Sequence, residues 1–129
     1  MKPTCPPCFE VRCGPISAVD LALYAAASGD HNPLHLDADV ARAAGFERPV
    51  VHGMFTMACV ARLFTARFGP LSLLSLQTRF TGIAQRGDTL LLTATLAQED
   101  GATALYGVRG RTQADVEVLT GSAQVRLSS

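Results

Sequence analysis

Apolar positions divide the chain into two halves with different periods. Phe9 to Cys13 reads as a short strand, stopped by Gly14-Pro15. Ser17 stands where a helix N-cap would, with Asp20 three residues on, in the spacing of a capping box. The helix this predicts runs from Ala18 to Ala27 and puts Val19, Leu23 and Ala26 or Ala27 on one face. Ala38 to Ala44 is a short helix closed by Gly45. Val51 to Phe68 contains no proline and ends at Gly69-Pro70. It is apolar almost all round, which predicts a long, buried central helix. The second half alternates instead. Leu71–Phe80, Thr89–Gln98, Ala104–Thr112 and Val116–Leu127 are rich in Leu, Thr and Val. Gly87-Asp88, Asp100-Gly101 and Gln113-Ala114-Asp115 separate them, which predicts four strands in an antiparallel meander. By itself this order of elements gives an α+β protein.

The 129 residues suit one domain, read as a flexible tail over 1–8 and a folded domain over 9–129. At 48% hydrophobic residues the domain can bury a core, while charged residues make up only 17%. That ratio points to surface covered in a homodimer or higher oligomer. Eleven acidic and eleven basic residues leave no basic surplus for nucleic acid. No stretch has the length and polarity of a membrane span, and Met1–Cys8 lacks the apolar core of a signal peptide, so a cytoplasmic protein is expected. Cys5-Pro6-Pro7-Cys8 has the spacing of a redox pair or half a zinc site, but no second pair completes four ligands. Cys13 and Cys59 read as small apolar residues. No histidines stand at i, i+4, and Asp37 and Asp39 read as caps of the short helix, so no metal site is expected.

The candidate chemistry lies between the helices. Ser28-Gly29-Asp30-His31-Asn32-Pro33-Leu34-His35 packs an acid and an imidazole into six residues. Gly29 and the Asn32-Pro33 turn bend the loop so that Asp30 and His35 can aim at one point. A carboxylate and an imidazole sharing one water can move protons both ways near neutral pH. Asn32 is expected to hold the loop, and His31 to stay exposed or line a wall. In the second block, Gly45-Phe46-Glu47-Arg48-Pro49-Val50-Val51-His52-Gly53-Met54, His52-Gly53 falls at the start of the central helix. Unpaired N–H groups and the helix dipole favour negative charge there, and Gly53 allows close approach. His52 is expected beside that point, lining the pocket or bonding loop backbone.

These two blocks, in this order and spacing, resemble the MaoC-like, or (R)-specific, enoyl-CoA hydratase family. The resemblance extends more weakly from Phe9 to Leu127. It implies a single hot-dog fold, a curved antiparallel sheet wrapped around the helix near 51–68. It also implies Asp30 and His35 as a catalytic dyad, the Gly53 N–H as contact to a thioester carbonyl, and Asn32 and His52 near substrate. The implied substrate is an acyl-CoA thioester, with no cofactor beyond that coenzyme A. An acyl-carrier-protein dehydratase, a hot-dog thioesterase and a non-catalytic acyl-thioester binder remain alternatives on the same fold. Some relatives carry a serine on the central helix that bonds the acid. Here that position is Ala61, or Cys59 if the register shifts. Many also carry a proline where Ile83 stands. Arg48, Arg79 and Arg86 are candidate partners for CoA phosphates, and Phe55, Met57 and Leu76 candidates for setting acyl depth.

Overall fold

The structure, a computed structural model, describes residues 5–127. Its elements are β1 (Cys8–Cys13), α1 (Ala18–Ser28), a 3₁₀ turn (Pro33–His35), α2 (Ala38–Ala43), α3 (Gly53–Phe68), β2 (Leu73–Phe80), β3 (Leu90–Glu99), β4 (Thr103–Thr112) and β5 (Glu117–Arg126). The start of α1 follows its sequence signal. Ser17 Oγ accepts from Asp20 N at 3.0 Å, and Asp20 Oδ2 accepts from Ser17 N at 2.8 Å, an aspartate closing the box that usually takes Glu or Gln. Gly29 ends the helix in the left-handed region, at φ 78°, and donates its N–H to Ala25 O.

The five strands form one antiparallel sheet in the order β1-β3-β4-β5-β2. The meander is therefore three strands, not four, because β2 pairs with β5 at the far edge. The reason is the connection 81–89, which is too long for a tight hairpin and is pinned along its length. Val51 N donates to Ala84 O, Arg86 N to Pro49 O, and Gly87 N to Ile16 O. It carries the chain across the end of the sheet from the β2 edge to β3 beside β1. A side chain at Gly121 would run into the Gln77 carbonyl, so this glycine lets β2 approach β5 closely.

One face of the sheet packs on α3. Thr56, Val60, Leu63 and Phe64 are its buried residues. Met54 is 55% exposed, so α3 is not buried all round as its composition predicts. A single sheet covers one side of a helix, and on another side Tyr24 of α1 meets Phe55. In α1, Leu21 and Ala25 turn inward while Val19 and Leu23 stay in solvent. An aromatic cluster locks α3 to the sheet. Phe9 lies edge-on to Phe64, Phe68 and Tyr106 at 5.7, 5.9 and 5.1 Å between ring centroids. The Arg67 guanidinium sits 4.5 Å from the Phe9 ring centroid. The Tyr106 hydroxyl donates to Pro6 O at 2.9 Å, and Cys5 is buried in the same core. Of the segment read as a tail, Cys5 is buried, Pro7 and Cys8 are exposed and Cys8 opens β1, while Met1–Thr4 lie outside the described residues.

Candidate active site

The loop after α1 builds the first half of the site. Asp30 N donates to Ser28 Oγ at 3.2 Å, and Asn32 N donates to Asp30 Oδ1 at 3.3 Å. Asn32 Oδ1 caps the 3₁₀ turn by accepting from Leu34 N at 3.0 Å. Asn32 therefore shapes the loop, and its oxygen is turned to backbone. The turn ends at His35, and Val50 N donates to Leu34 O at 2.9 Å, tying it to the segment before α3. Asp30 and His35 then meet, with Oδ2 and Nε2 3.6 Å apart. The imidazole is only 12% exposed, whereas the carboxylate is 52% exposed.

The protonation of His35 follows from its neighbours. Nδ1 lies 2.8 Å from the Val50 carbonyl, which can only accept. The proton of the neutral ring is thereby assigned to Nδ1, and the Nε2 lone pair faces the Asp30 carboxylate. A water beside them can donate one hydrogen to each and present its oxygen outward.

His52 lies behind His35 rather than at an open wall. It is 2% exposed, stacks on His35 with centroids 3.8 Å apart and planes 20° apart, and meets Tyr24 edge-on at 4.8 Å. Its Nε2–H donates to Asp30 O at 3.1 Å. This is the bond to loop backbone that the sequence offered as one of two roles for His52. Burial pushes its pKa down, aided by His35 and opposed by the bond to Asp30. Nδ1 of His52 has no partner among the described residues. Asp30, His35 and His52 bring one donor atom each within 4.8 Å of one another, a spacing that would also admit a cation.

The next residue begins α3. Gly53 has no side-chain cap above it, so its N–H is open to an acceptor, next in the chain to the histidine bonded to Asp30. A Cβ on Gly53 would stand 3.2 Å from the Phe80 ring. Phe80 is 47% exposed and comes from the end of β2, beside Leu119 of β5. It walls the helix N-terminus and was not singled out from sequence; its only signal there is its place at a strand end. Ala61 offers no hydroxyl to Asp30, whose carboxylate is held by its own loop and His35. Arg48 is committed elsewhere, donating to Arg86 O at 2.6 Å and pairing with buried Asp88 at 3.2 Å. It holds the segment before α3 and leaves Arg79 and Arg86 of the three candidate cations. A second cluster that sequence reading passed over is a thiol pair, Cys13 and Cys59, with sulfurs 2.9 Å apart.

One antiparallel sheet packed on one long helix, with an acid and an imidazole side by side near that helix's N-terminus, is a hot-dog fold. The chain belongs to the MaoC-like domain family, whose model matches residues 9–118. The (R)-specific enoyl-CoA hydratase of Aeromonas caviae is 34% identical over 114 residues, 85% of each chain. The solved structure of the (R)-hydratase from A. caviae involved in PHA biosynthesis superposes with a TM-score of 0.85 at 31% identity, covering 94% of both chains. The mitochondrial 3-hydroxyacyl-(acyl-carrier-protein) dehydratase of Arabidopsis thaliana is 39% identical over 75 residues, 58% of this chain and 45% of that protein. Several other curated relatives are longer, and the chain spans about a third of their length or less.

Proposed function

We propose that this chain reversibly adds water to a trans-2-enoyl thioester to give a (3R)-3-hydroxyacyl thioester, with coenzyme A as the carrier. One observation carries the reading. The Val50 carbonyl holds the His35 proton on Nδ1, so Nε2 and the Asp30 carboxylate, 3.6 Å apart, form two acceptors for one water. As that oxygen attacks C3, one acceptor takes its proton. The same proton is then available for C2, so the addition balances without another acid. Charge building on the thioester oxygen meets the Gly53 N–H at the α3 N-terminus. Stereochemistry and carrier follow the names of the relatives, among which are an (R)-specific enoyl-CoA hydratase and a 3-hydroxyacyl-thioester dehydratase. The expected compartment is the cytoplasm, which four free cysteines fit.

The test is to mix protein with crotonyl-CoA and longer enoyl-CoAs. Loss of the conjugated absorbance without free thiol supports hydration. Free thiol would instead mean a thioesterase, and binding without either change an acyl-thioester carrier. Asp30→Asn and His35→Ala are each expected to stay folded and lose roughly 10²–10⁴-fold in rate. The double variant should be little worse than either single one, because the two groups share one water. Near-full activity in a folded single variant would refute the dyad. Proton transfer by these groups requires no cation, so prolonged chelation is expected to leave the rate unchanged; restoration of a lost rate by one divalent metal would overturn this part.

A further inference from the structure

We propose that Cys13 and Cys59 form an oxidation site, in which a hydroperoxide converts the two thiols to a disulfide joining β1 to α3. The inference does not depend on the dyad's role. Cys13 is the last residue of edge strand β1, and Cys59 lies in the middle of α3, 46 residues away in sequence. Their sulfurs are 2.9 Å apart, about 0.9 Å longer than a disulfide bond. Neither residue is sealed in the core.

Access comes from two clefts that meet at this pair. One, of about 740 Å³, runs between β1 and α3 and is lined by Val11, Arg12, Leu63 and Ala66 among others. The second, of about 440 Å³, lies towards α1 and includes Tyr24 and Phe55. Cys13, Gly14, Cys59 and Arg62 border both. Tyr24 packs on His52 as well as Phe55, so the second cleft reaches the support of the dyad.

The two sulfurs share one proton. A hydrogen bond from Cys59 holds the Cys13 thiol below its ordinary range; burial opposes this and Arg62 assists it, while Asp20 works against it. The same shared proton, with burial, pushes Cys59 up. Either sulfur can attack first, and the product is the same. When Cys13 is the attacking thiolate, its sulfur takes one peroxide oxygen as the O–O bond breaks, and the other oxygen leaves as water or an alcohol. Cys59 then attacks the Cys13 sulfenic acid, the S–S bond forms, and hydroxide leaves with the Cys59 proton as water. Two thiols and one hydroperoxide thus give one disulfide, with water and water or an alcohol. Cys5 is less suited, since it is buried in the core, and among the described residues no second sulfur stands beside Cys8 as Cys59 stands beside Cys13.

The experiment treats the reduced protein with a small molar excess of hydrogen peroxide and maps tryptic peptides without reduction. The expected product links the peptide beginning at Cys13 to the peptide ending at Arg62, with loss of two hydrogens in mass and reversal by dithiothreitol. It should form equally in a Cys8→Ser protein and be accompanied by a higher Tm. In Cys59→Ser, oxidation should stop at a Cys13 sulfenic acid that dimedone labels. The proposal fails if the wild-type protein yields no Cys13–Cys59 peptide, or if the first product is a bond through Cys5 or Cys8.

Discussion

One nitrogen decides what His35 can do. With Nδ1 spent on the Val50 carbonyl, the ring turns a lone pair, not a proton, towards Asp30 and any water there. His52 supports that arrangement from behind, stacked on the ring and bonded to the Asp30 backbone. A second imidazolium so close would repel a protonated His35, and burial keeps His52 neutral. This gives a signed pH dependence. The unfolded His52 takes a proton below about pH 6.5, whereas the folded residue resists until lower pH. Its contribution to stability is full above about 6.5 and declines as pH falls towards the lowered folded value. In His52→Gln, which can still donate to Asp30 O, that part of the loss is expected to vanish. Urea midpoints from pH 7.5 to 5.0 measure it; parallel curves for wild type and variant would refute it.

At the scale of elements, the site depends on a buried carboxylate remote from the chemistry. Asp88, just before β3, accepts from Arg48 Nη2 at 3.2 Å, Gln113 Nε2 at 3.0 Å and Gln85 N at 2.8 Å. Burial works against its charge, but these bonds and the Arg48 charge outweigh it and lower its pKa. It bolts the 81–89 connection to the segment before α3, and that segment supplies the Val50 carbonyl. Asp88→Ala strands Arg48 and two further donors. We expect a loss of about 2 kcal/mol, in the range for bonds to a charged group. The rate should also fall, as Val50 loosens its hold on His35. A urea midpoint and a rate both equal to wild type would remove Asp88 from this role.

At the scale of the whole molecule, both edges of the sheet are open among the described residues, β1 on one side and β2 on the other. Val19 and Leu23 on α1 are each 65% exposed, and Leu71 before β2 is 85% exposed. Unpaired edges and uncovered apolar side chains are liabilities for a monomer. The expected state is a dimer or higher assembly that pairs an edge and covers part of this surface. Light scattering across a dilution series tests it: a stable monomer near 13.6 kDa that hydrates enoyl-CoA would refute it.

Local chemistry was legible without the fold. The Ser17–Asp20 box, the Gly29 cap, the Asn32-Pro33 turn and the alternation in the second half depend on residues a few positions apart, so the chain alone determined where these elements lie. The paired Asp30 and His35 were legible for the same reason, being on one loop. Tertiary structure decided whatever depends on residues far apart. β2 lies beside β5 because the 81–89 connection bonds to Pro49, Val51 and Ile16, none of which its own sequence reveals. His52 is buried against His35 because Tyr24 and the Asp30–His35 loop enclose it. Cys13 and Cys59 look like small apolar residues until β1 packs against α3 and brings their sulfurs together. Periodicity and turn chemistry act along the chain, whereas these pairings arise only when the sheet closes on its helix.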